Sequence, residues 1–292
     1  MIDTKLIFDV GLHKGEDTHF YLKKGFNVVA FEANPSLIEH CKKRFSKQID
    51  SGQLILIEGA IADVPDNNTK TSTVNFYRNL DDSVWGTVCE TWAQRNEKLG
   101  TRSEIIEVPI IDFSNCLERY GTPYYLKVDI EGMDIICIKS LLRIEGRPSY
   151  ISIESDKLSF EKLIEELNLL KQLGYTSFKA VQQSGISKQK EPVPAKEGNQ
   201  TAYRFNEGAS GLFGKDLPGQ WKDYNQILKQ YRNIFLLYDY FGDFGKWRRT
   251  ILGRIFREVA STLVQKPIPG WYDTHARHKL TKGGIHFAGL ML

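Results

Sequence analysis

The first half of the chain alternates short aliphatic segments with segments of helical spacing, and this alternation constrains the fold more than any other feature. Lys5–Val10, Asn27–Phe31 and Gln53–Glu58 each have the length of a buried strand, and helix-like segments lie between them. Strands and helices in turn, with short connections, are typical of a parallel sheet that helices cover on both faces. We therefore predict an α/β protein with a doubly wound, mostly parallel sheet.

The same pattern continues to Gln182 and then changes. Further strands are predicted at residues 74–78, 105–110, 124–130, 150–154 and 176–182. From Ser184 to Gly214 the chain is rich in Gly, Pro, Lys and Ser without periodicity, which predicts a long loop. Two helices are predicted after it, at 227–241 and 247–263. We expect one α/β domain at residues 1–183 and a loop-rich, helical C-terminal region at 184–292 that covers a binding cleft.

Composition excludes several classes of protein. No apolar run approaches the roughly 20 residues that a membrane-spanning helix needs. The four cysteines lie far apart, so neither a disulfide framework nor a zinc site is indicated, and we expect a reducing, cytoplasmic location. The net charge is only +3, although the last quarter of the chain is basic. We expect no nucleic-acid partner, because the overall charge is near neutral and no known binding motif is present.

The sharpest local signal is the segment Asp9–Thr18, in which a strand runs into a turn containing Gly11 and Gly15 and then into a helix. The two glycines allow a sharp turn and a close approach of a ligand to the backbone. Glu32 ends the second predicted strand, where a carboxylate can accept hydrogen bonds from both hydroxyl groups of a ribose. This combination indicates a cofactor that contains a nucleoside.

The choice of cofactor depends on what this turn lacks. A dinucleotide fingerprint requires Gly-x-Gly-x-x-Gly, and His13 interrupts it. Asp9 can pair with an ammonium group, and Asp63 follows the third strand, where it can accept from an adenine amino group. S-adenosylmethionine has an ammonium group, a ribose and no phosphate, so it is the predicted cofactor. The alternatives are a nicotinamide-dependent oxidoreductase and a non-catalytic domain that binds a nucleoside or a glycan.

Four segments resemble the FkbM family of class I methyltransferases, namely Asp9–Thr18, Phe31–Pro35, Val108–Asp112 and Leu126–Gly132. The resemblance covers residues 5–183. It implies a Rossmann-like fold, S-adenosylmethionine as the methyl donor and a hydroxyl group as the usual acceptor, here on a sugar, a glycan or a natural product. The cofactor-binding residues that it implies, or that lie in its motifs, are Asp9, Gly11, His13, Gly15, Thr18, Glu32, Ala33 and Asp63.

Candidate catalytic residues lie at the ends of later strands, where open α/β sheets bind ligands. Asp129 and Glu131 follow the strand that contains Lys127, and we expect Lys127 to pair with one of them. Methyl transfer to oxygen needs a group that takes or orients the hydroxyl proton, and Asp129 is the first candidate. Glu131 either shares this role or accepts from N–H groups at a helix N-terminus. His275 is a further candidate base, because the pKa of histidine lies near working pH.

Other expectations concern the acceptor, metals and membranes. Substrate contacts are expected from Asp82, Ser83, Glu154 and Asp156. A divalent metal on Asp129, Glu131, Asp156 and a histidine is an alternative, but the sequence shows no compact ligand spacing, so we expect none. The basic helix 246–263 either packs on the domain with its polar face in solvent, which we favour, or lies on an anionic membrane. The sequence indicates no oligomeric state.

Overall fold

The computed structural model describes residues 2–62, 72–206, 208–242, 245–248, 250–264 and 267–279. Its strands are β1 (Ile2–Val10), β2 (Asn27–Glu32), β3 (Leu54–Glu58), β4 (Ala60–Ile61), β5 (Thr73–Asn79), β6 (Ser103–Ile111), β7 (Thr122–Val128), β8 (Tyr150–Glu154), β9 (Tyr175–Gln182) and β10 (Tyr272–His278). Its helices are α1 (Glu16–Lys23), α2 (Pro35–Arg44), α3 (Ser46–Asp50), α4 (Glu90–Lys98), α5 (Phe113–Tyr120), α6 (Asp134–Ser140), α7 (Phe160–Gln172), α8 (Tyr224–Phe241) and α9 (Ile251–Val264).

Seven of these strands form one sheet in the order β3-β2-β1-β7-β8-β10-β9. All neighbouring pairs are parallel except those of β10, which runs antiparallel between β8 and β9. A separate three-stranded sheet has the order β4-β6-β5. The predicted doubly wound, mostly parallel α/β fold is therefore confirmed. The order of the strands reverses between β1 and β7, which places the expected ligand site at the carboxyl ends of these two strands.

The sequence pattern does not predict β10, and the composition of this strand explains why. It carries Asp273, Thr274, His275 and Arg277 and contains no apolar run. The first three of these residues are nevertheless buried, because each pairs with β8 on one side and with β9 on the other. Tertiary contacts thus override the weak local preference of this segment for a strand.

One face of the sheet is covered by helices, and the other is covered by α1, α2 and a long irregular segment. Phe8 points to the face that carries α5, α6, α7 and α8, whereas Ile7, one position earlier, points to the opposite face. On that opposite face, Tyr125 stacks on Phe213 with the ring centroids 4.7 Å apart. Residues 184–214, predicted to be a loop near the binding cleft, therefore serve mainly to cover the sheet.

The C-terminal region completes the same sheet and the same core. Ile227 and Tyr231 of α8 pack with Leu163 and Leu167 of α7 in one hydrophobic cluster. In addition, β9 is joined to the rest of the sheet through β10. The boundary predicted at residue 183 therefore falls inside one continuous sheet, because strands from both sides of it hydrogen-bond to each other.

The helix α9 packs through a different face from the one predicted. The apolar stripe seen in the sequence consists of Trp247, Ile251, Ile255, Val259 and Leu263. All five side chains are at least half exposed. Phe256 instead stacks on Phe241 with the ring centroids 4.7 Å apart. The expected packing of the stripe against the domain is thus not observed. Among the described residues, no helix is both long enough and apolar enough to cross a membrane.

Candidate active site

A cavity of about 1170 Å³ lies where the carboxyl ends of β1, β2, β7 and β8 meet. Ligands of open α/β sheets bind where the strand order reverses, which is this position. The volume exceeds the roughly 300–1,000 Å³ of an ordinary small-molecule pocket, so two ligands can fit side by side. The predicted site residues that line the cavity are Gly11, His13, Glu32, Ala33, Asp82, Ser83, Asp129, Glu131 and Glu154.

Gly11 begins the glycine turn, residues 11–15, and lets the ends of β1 and β7 approach each other closely. Its φ is 86°, in the left-handed region that favours glycine. A Cβ atom at this position would overlap the carbonyl oxygen of Asp129. The N–H group of Gly11 also donates to the carbonyl of Phe31 at 3.1 Å. Any other residue at position 11 would therefore push the end of β7 away from the glycine turn.

Glu32 lies at the end of β2 and borders the cavity with most of its surface buried. Its two carboxylate oxygens accept hydrogen bonds from the N–H groups of His13 and Asn34, each at 2.8 Å. Burial raises the pKa of Glu32, and these two hydrogen bonds oppose the rise. Each carboxylate oxygen has a second lone pair, so the group can still accept from ribose hydroxyls.

His13 connects the glycine turn to the polar stretch after β5. Its φ is 52°, which is uncommon for a residue other than glycine. Its Nε2 lies 2.8 Å from the hydroxyl of Ser83, and its Nδ1 lies 3.2 Å from the carboxylate of Glu16. Asp82 accepts from the N–H of Val84 at 3.3 Å and begins a short 3₁₀ turn. The structure thus places Asp82 and Ser83 in the cavity wall beside the glycine turn.

Three residues predicted to contact the cofactor do not line the cavity. Asp9 and Thr18 are fully buried, and the hydroxyl of Thr18 donates to Asp9 at 2.6 Å. Gly15 precedes α1, and a Cβ atom there would overlap the ring of Phe45. These residues shape the glycine turn from within, because neighbouring protein atoms enclose all three of them. Asp63 lies outside the described residues.

Lys127 is a buried cation beneath the glycine turn. Its Nζ donates to the carbonyl of Gly11 at 2.8 Å and lies 3.3 Å from Asp9. Carboxylate oxygens of Asp129 and Asp17 lie 3.8 and 3.9 Å away. Burial alone would lower the pKa of this ammonium group, but the three carboxylates outweigh burial and raise the pKa well above its usual value. The expected ion pair thus has three anionic partners and connects β1, α1 and β7.

Asp17, in the first turn of α1, is a buried carboxylate not singled out in the sequence. It accepts from the N–H groups of Ser210 at 2.9 Å and Gly211 at 3.4 Å. Burial raises its pKa to about 7, although the charge of Lys127 opposes the rise. Asp17 therefore ties residues 208–210, which line the cavity, to α1. An acidic residue at a helix N-terminus is common, so the sequence gives no special signal here.

Asp129, Glu131 and Glu154 form a carboxylate cluster in the cavity, with one oxygen of each within 4.8 Å of the other two. The backbone of Glu131 has φ 50°, and its carbonyl accepts from the hydroxyl of Thr87 at 2.8 Å. Burial, and after it the charge of Glu154, raise the pKa of Glu131 well above its usual value. Within the described part of the chain, the carboxylate of Glu131 accepts no hydrogen bond, so the expected alternative role at a helix N-terminus is not observed.

Two further groups border the carboxylate cluster. Asp273 of β10 is the direct neighbour of Glu154 across the sheet, is only 6% exposed and lines the cavity. Burial first, and then the charges of Asp129 and Glu154, raise the pKa of Asp273 well above its usual value. The Nζ of Lys157 lies 2.9 Å from Glu154. Sequence reasoning missed Asp273 because nothing in the linear chain places β10 beside β8.

The structure does not bring His275 and Asp156 into this arrangement, which corrects two expectations. His275 pairs with Ser152 and Lys179 inside the sheet and does not line the cavity. Burial lowers the pKa of His275 to about 3, so the imidazole is neutral at working pH. Asp156 turns back to accept from the N–H of Ser159 at 2.7 Å and borders a separate pocket of about 170 Å³.

Aromatic and cationic groups from later in the chain complete the cavity. Beyond residue 80, the aromatic lining groups are Trp85, Phe235, Tyr238 and Trp271, and the cationic ones are Arg95, Lys127, Lys157, Lys246, Arg248 and Arg257. Flat rings beside a small number of polar groups are typical of pockets that bind an organic ligand. This part of the cavity is therefore suited to a second ligand with a ring surface.

A family profile described as the methyltransferase FkbM domain matches residues 9–177, more than half of the chain. The chain belongs to the FkbM methyltransferase family. The resemblance seen in the sequence is thereby confirmed, as is the cofactor, because methyltransferases of this class use S-adenosylmethionine. No curated protein gives a significant match.

Several solved structures resemble this member of the FkbM family at low sequence identity. The FkbM methyltransferase from Methylobacillus flagellatus KT is 13% identical, with 59% of this chain and 38% of that chain covered and a TM-score of 0.33. The precorrin-6y C5,15-methyltransferase from Geobacter metallireducens GS-15 is 13% identical, with 62% and 71% covered and a TM-score of 0.32. The MccD protein is 10% identical, with 94% and 88% covered and a TM-score of 0.32.

Proposed function

We propose that this FkbM-family methyltransferase transfers the methyl group to a hydroxyl oxygen of a sugar, a glycan or a natural product. The observation that supports this most is the position of Asp129 in the same cavity as Glu32. Lys127 spans the two regions, because its Nζ contacts both the carbonyl of Gly11 and the carboxylate of Asp129. A proton-accepting group thus lies close to the glycine turn.

The glycine turn and Glu32 are the residues proposed to hold the cofactor. Glu32 is already oriented by two backbone N–H groups, so little ordering is needed when it accepts from ribose hydroxyls. The cofactor supplies a methyl group on a sulfonium centre, which an oxygen can attack in line. His13 and Ser83, joined by a hydrogen bond, close the cavity wall beside this turn.

Asp129 is the residue proposed to take the hydroxyl proton. Its carboxylate is half-buried, lines the cavity and accepts no hydrogen bond from a described residue. As the new oxygen–carbon bond forms and the carbon–sulfur bond breaks, the acceptor proton passes to this carboxylate and then to solvent or to Glu131. The electron pair of the broken bond stays on sulfur, so the products are the methyl ether and S-adenosylhomocysteine.

The cofactor assignment can be tested by calorimetric titration of the purified protein with S-adenosylmethionine, S-adenosylhomocysteine and NAD. We expect the first two to bind and NAD not to bind, because the glycine turn lacks the dinucleotide fingerprint. Binding of NAD alone would support the oxidoreductase alternative instead. Binding of S-adenosylmethionine without transfer to any of a panel of hydroxyl acceptors would favour a binding domain.

The substitution Asp129→Asn tests the role of the carboxylate. It removes the proton acceptor and keeps the shape, so we expect turnover to fall by about 10²–10⁴-fold while the affinity for S-adenosylmethionine stays within a few-fold. The matched control is Asp50→Asn, a change of the same type at an exposed position in α3. Unchanged turnover of the Asp129→Asn protein would remove Asp129 from the mechanism.

A further inference from the structure

The carboxylate cluster collects oxygen donors from two different strands. Asp129 and Glu131 follow β7, and Glu154 ends β8, so the three groups meet only in the folded sheet. One carboxylate oxygen of each residue lies within 4.8 Å of the other two, which is close enough for one ion to contact all three. A donor set of carboxylates without sulfur or imidazole suits a hard cation such as Mg²⁺, Mn²⁺ or Ca²⁺ rather than Zn²⁺.

A second observation is the lack of partners for Asp273. Only 6% of the surface of Asp273 is exposed. The residue lines the same cavity and lies next to Glu154 across the sheet. Its carboxylate forms no hydrogen bond or ion pair with the part of the chain that the structure describes. A buried carboxylate without a partner is costly, and a cation is a usual partner for such a group. Asp273 therefore points to a ligand that the protein itself does not supply.

The local charge leads to the same conclusion. Among the described residues, the ion pairs of this cluster are those of Asp129 with Lys127 and of Glu154 with Lys157. Lys127 is also shared with Asp9 and Asp17, so its charge is not free for the cluster. Glu131 and Asp273 thus form no ion pair with a described residue. A divalent cation carries the charge that balances them.

We propose that Asp129, Glu131 and Glu154, with Asp273 beside Glu154, bind one hard divalent cation, of which Mg²⁺ and Mn²⁺ fit the donor set best. Lys157 occupies one oxygen of Glu154, so the cation uses the other oxygen or displaces this ammonium group. The sequence predicts no metal, because α6 and most of β8 separate Glu131 from Glu154 in the chain, and Asp273 comes much later, in β10. Sheet pairing, which the sequence does not show, brings them together.

The role of the cation rests on the function proposed above. A divalent ion in the cavity would bind the acceptor oxygen as a Lewis acid and make its proton easier to remove. Asp129 would then bind the ion through one carboxylate oxygen, and its other oxygen would still take the acceptor proton. The ion-binding site itself does not depend on which acceptor is used, so binding and turnover can be tested separately.

Binding can be measured directly with Mn²⁺ and the full chain in the absence of cofactor, by the loss of the electron paramagnetic resonance signal of free Mn²⁺. We expect one Mn²⁺ per chain and a Kd that rises at least about tenfold in Glu131→Gln. A control change of the same type is Glu118→Gln on the exposed surface of α5, which should bind Mn²⁺ like the unchanged protein. Circular dichroism of each variant shows whether it is folded.

Two results would overturn the proposal. The first is no saturable binding to the unchanged, folded protein at about 1 mM Mn²⁺, the weak end of the usual range for divalent sites. The second is equal binding by the unchanged protein, Glu131→Gln and a second variant, Asp273→Asn. If Glu131→Gln does not fold, Asp273→Asn and an increase of Tm with Mn²⁺ concentration still decide the question.

Failure of the two proposals can be told apart. Methyl transfer to a hydroxyl that persists in excess EDTA, without Mn²⁺ binding, supports the proposed function and excludes the cation site. Mn²⁺ binding that Glu131→Gln removes, without any transfer to oxygen, supports the site and excludes the O-methyltransferase assignment.

Discussion

The buried carboxylates at the glycine turn accept hydrogen bonds from the protein. In the carboxylate cluster, Glu131 accepts none from the described residues, and neither does Asp273, the neighbour of Glu154. Glu32 accepts from two N–H groups, and Asp17 accepts from two others. Asp9 has the hydroxyl of Thr18 and the ammonium of Lys127. The two regions lie in one cavity wall, yet only one of them is complete without a ligand.

This difference separates residues that shape a site from residues that contact its ligand. A buried polar group with all its partners stabilises the protein in the absence of ligand, while one without partners costs stability. Residues of the first kind, such as Asp17, belong to the scaffold even when they lie in a functional motif. Asp273 belongs to the second kind, although no motif includes it.

The largest effect is expected from Lys127→Met, which breaks the buried ion pairs at the glycine turn. This change leaves Asp9 and Asp17 buried without their cation, which costs about 3–5 kcal/mol of the free energy of unfolding. Urea denaturation followed by circular dichroism measures the loss. The control is Lys42→Met, which removes an exposed lysine paired with Glu39 and should have almost no effect. A loss for Lys127→Met as small as for the control would show that the buried network is not stabilising.

A smaller effect is expected from Glu32→Gln. The amide keeps one acceptor oxygen for the backbone but loses the charge, and hydrogen bonds to a charged group contribute about 1.5–3 kcal/mol. The affinity for S-adenosylmethionine should therefore fall by about 10–100-fold in a calorimetric titration. Glu58→Gln is the matched control, because Glu58 is the neighbour of Glu32 at the end of β3 and does not line the cavity. Equal affinities of the two variants would contradict the ribose contact.

The smallest effect concerns His275, which lies two residues after Asp273 in β10 and outside the cavity. Its pKa is lowered by burial to about 3, against 6.5 in the unfolded chain, so folding favours the neutral imidazole. The neutral group is fully tolerated above pH 6.5, and stability is lost as the pH falls from 6.5 toward 3. At about pH 5 the loss amounts to about 2 kcal/mol.

The measurement for His275 compares unfolding free energies near pH 7.5 and pH 5 for the unchanged protein and His275→Leu. The variant should lose about 2 kcal/mol less on acidification, because it has no buried group to protonate there. His40→Gln, at an exposed position in α2, serves as control and should show the pH dependence of the unchanged protein. An identical pH dependence for all three proteins would contradict the buried, neutral state of His275.

The parts of the site that the sequence predicts are those built by consecutive residues. The glycine turn and Glu32 are recognisable because strand, turn and helix follow each other directly, so local steric rules fix their geometry. Asp129 and Glu131 are visible for the same reason at the end of β7. Their cavity contacts were therefore expected before any tertiary contact was known.

The parts that the sequence misses depend on contacts between distant segments. Asp9 lies in the cofactor motif but is enclosed by Thr18 and Lys127, so its burial follows from packing rather than from spacing. Asp273 reaches the cavity only because β10 inserts between β8 and β9. Residues 184–214 cover the sheet in place of a regular helix, and their sequence has no periodic pattern that predicts this packing.

The position of β10 also has a consequence for synthesis of the chain. β9 ends at Gln182 and β10 begins at Tyr272, about 90 residues later, and among the described strands β10 alone joins β9 to the sheet. At about 5–20 residues per second, the ribosome takes several seconds to make the intervening segment. During that time the nascent protein carries unpaired edges on β8 and β9, which are sites where other chains can attach. A molecule of this kind is expected to depend on chaperones until β10 has emerged.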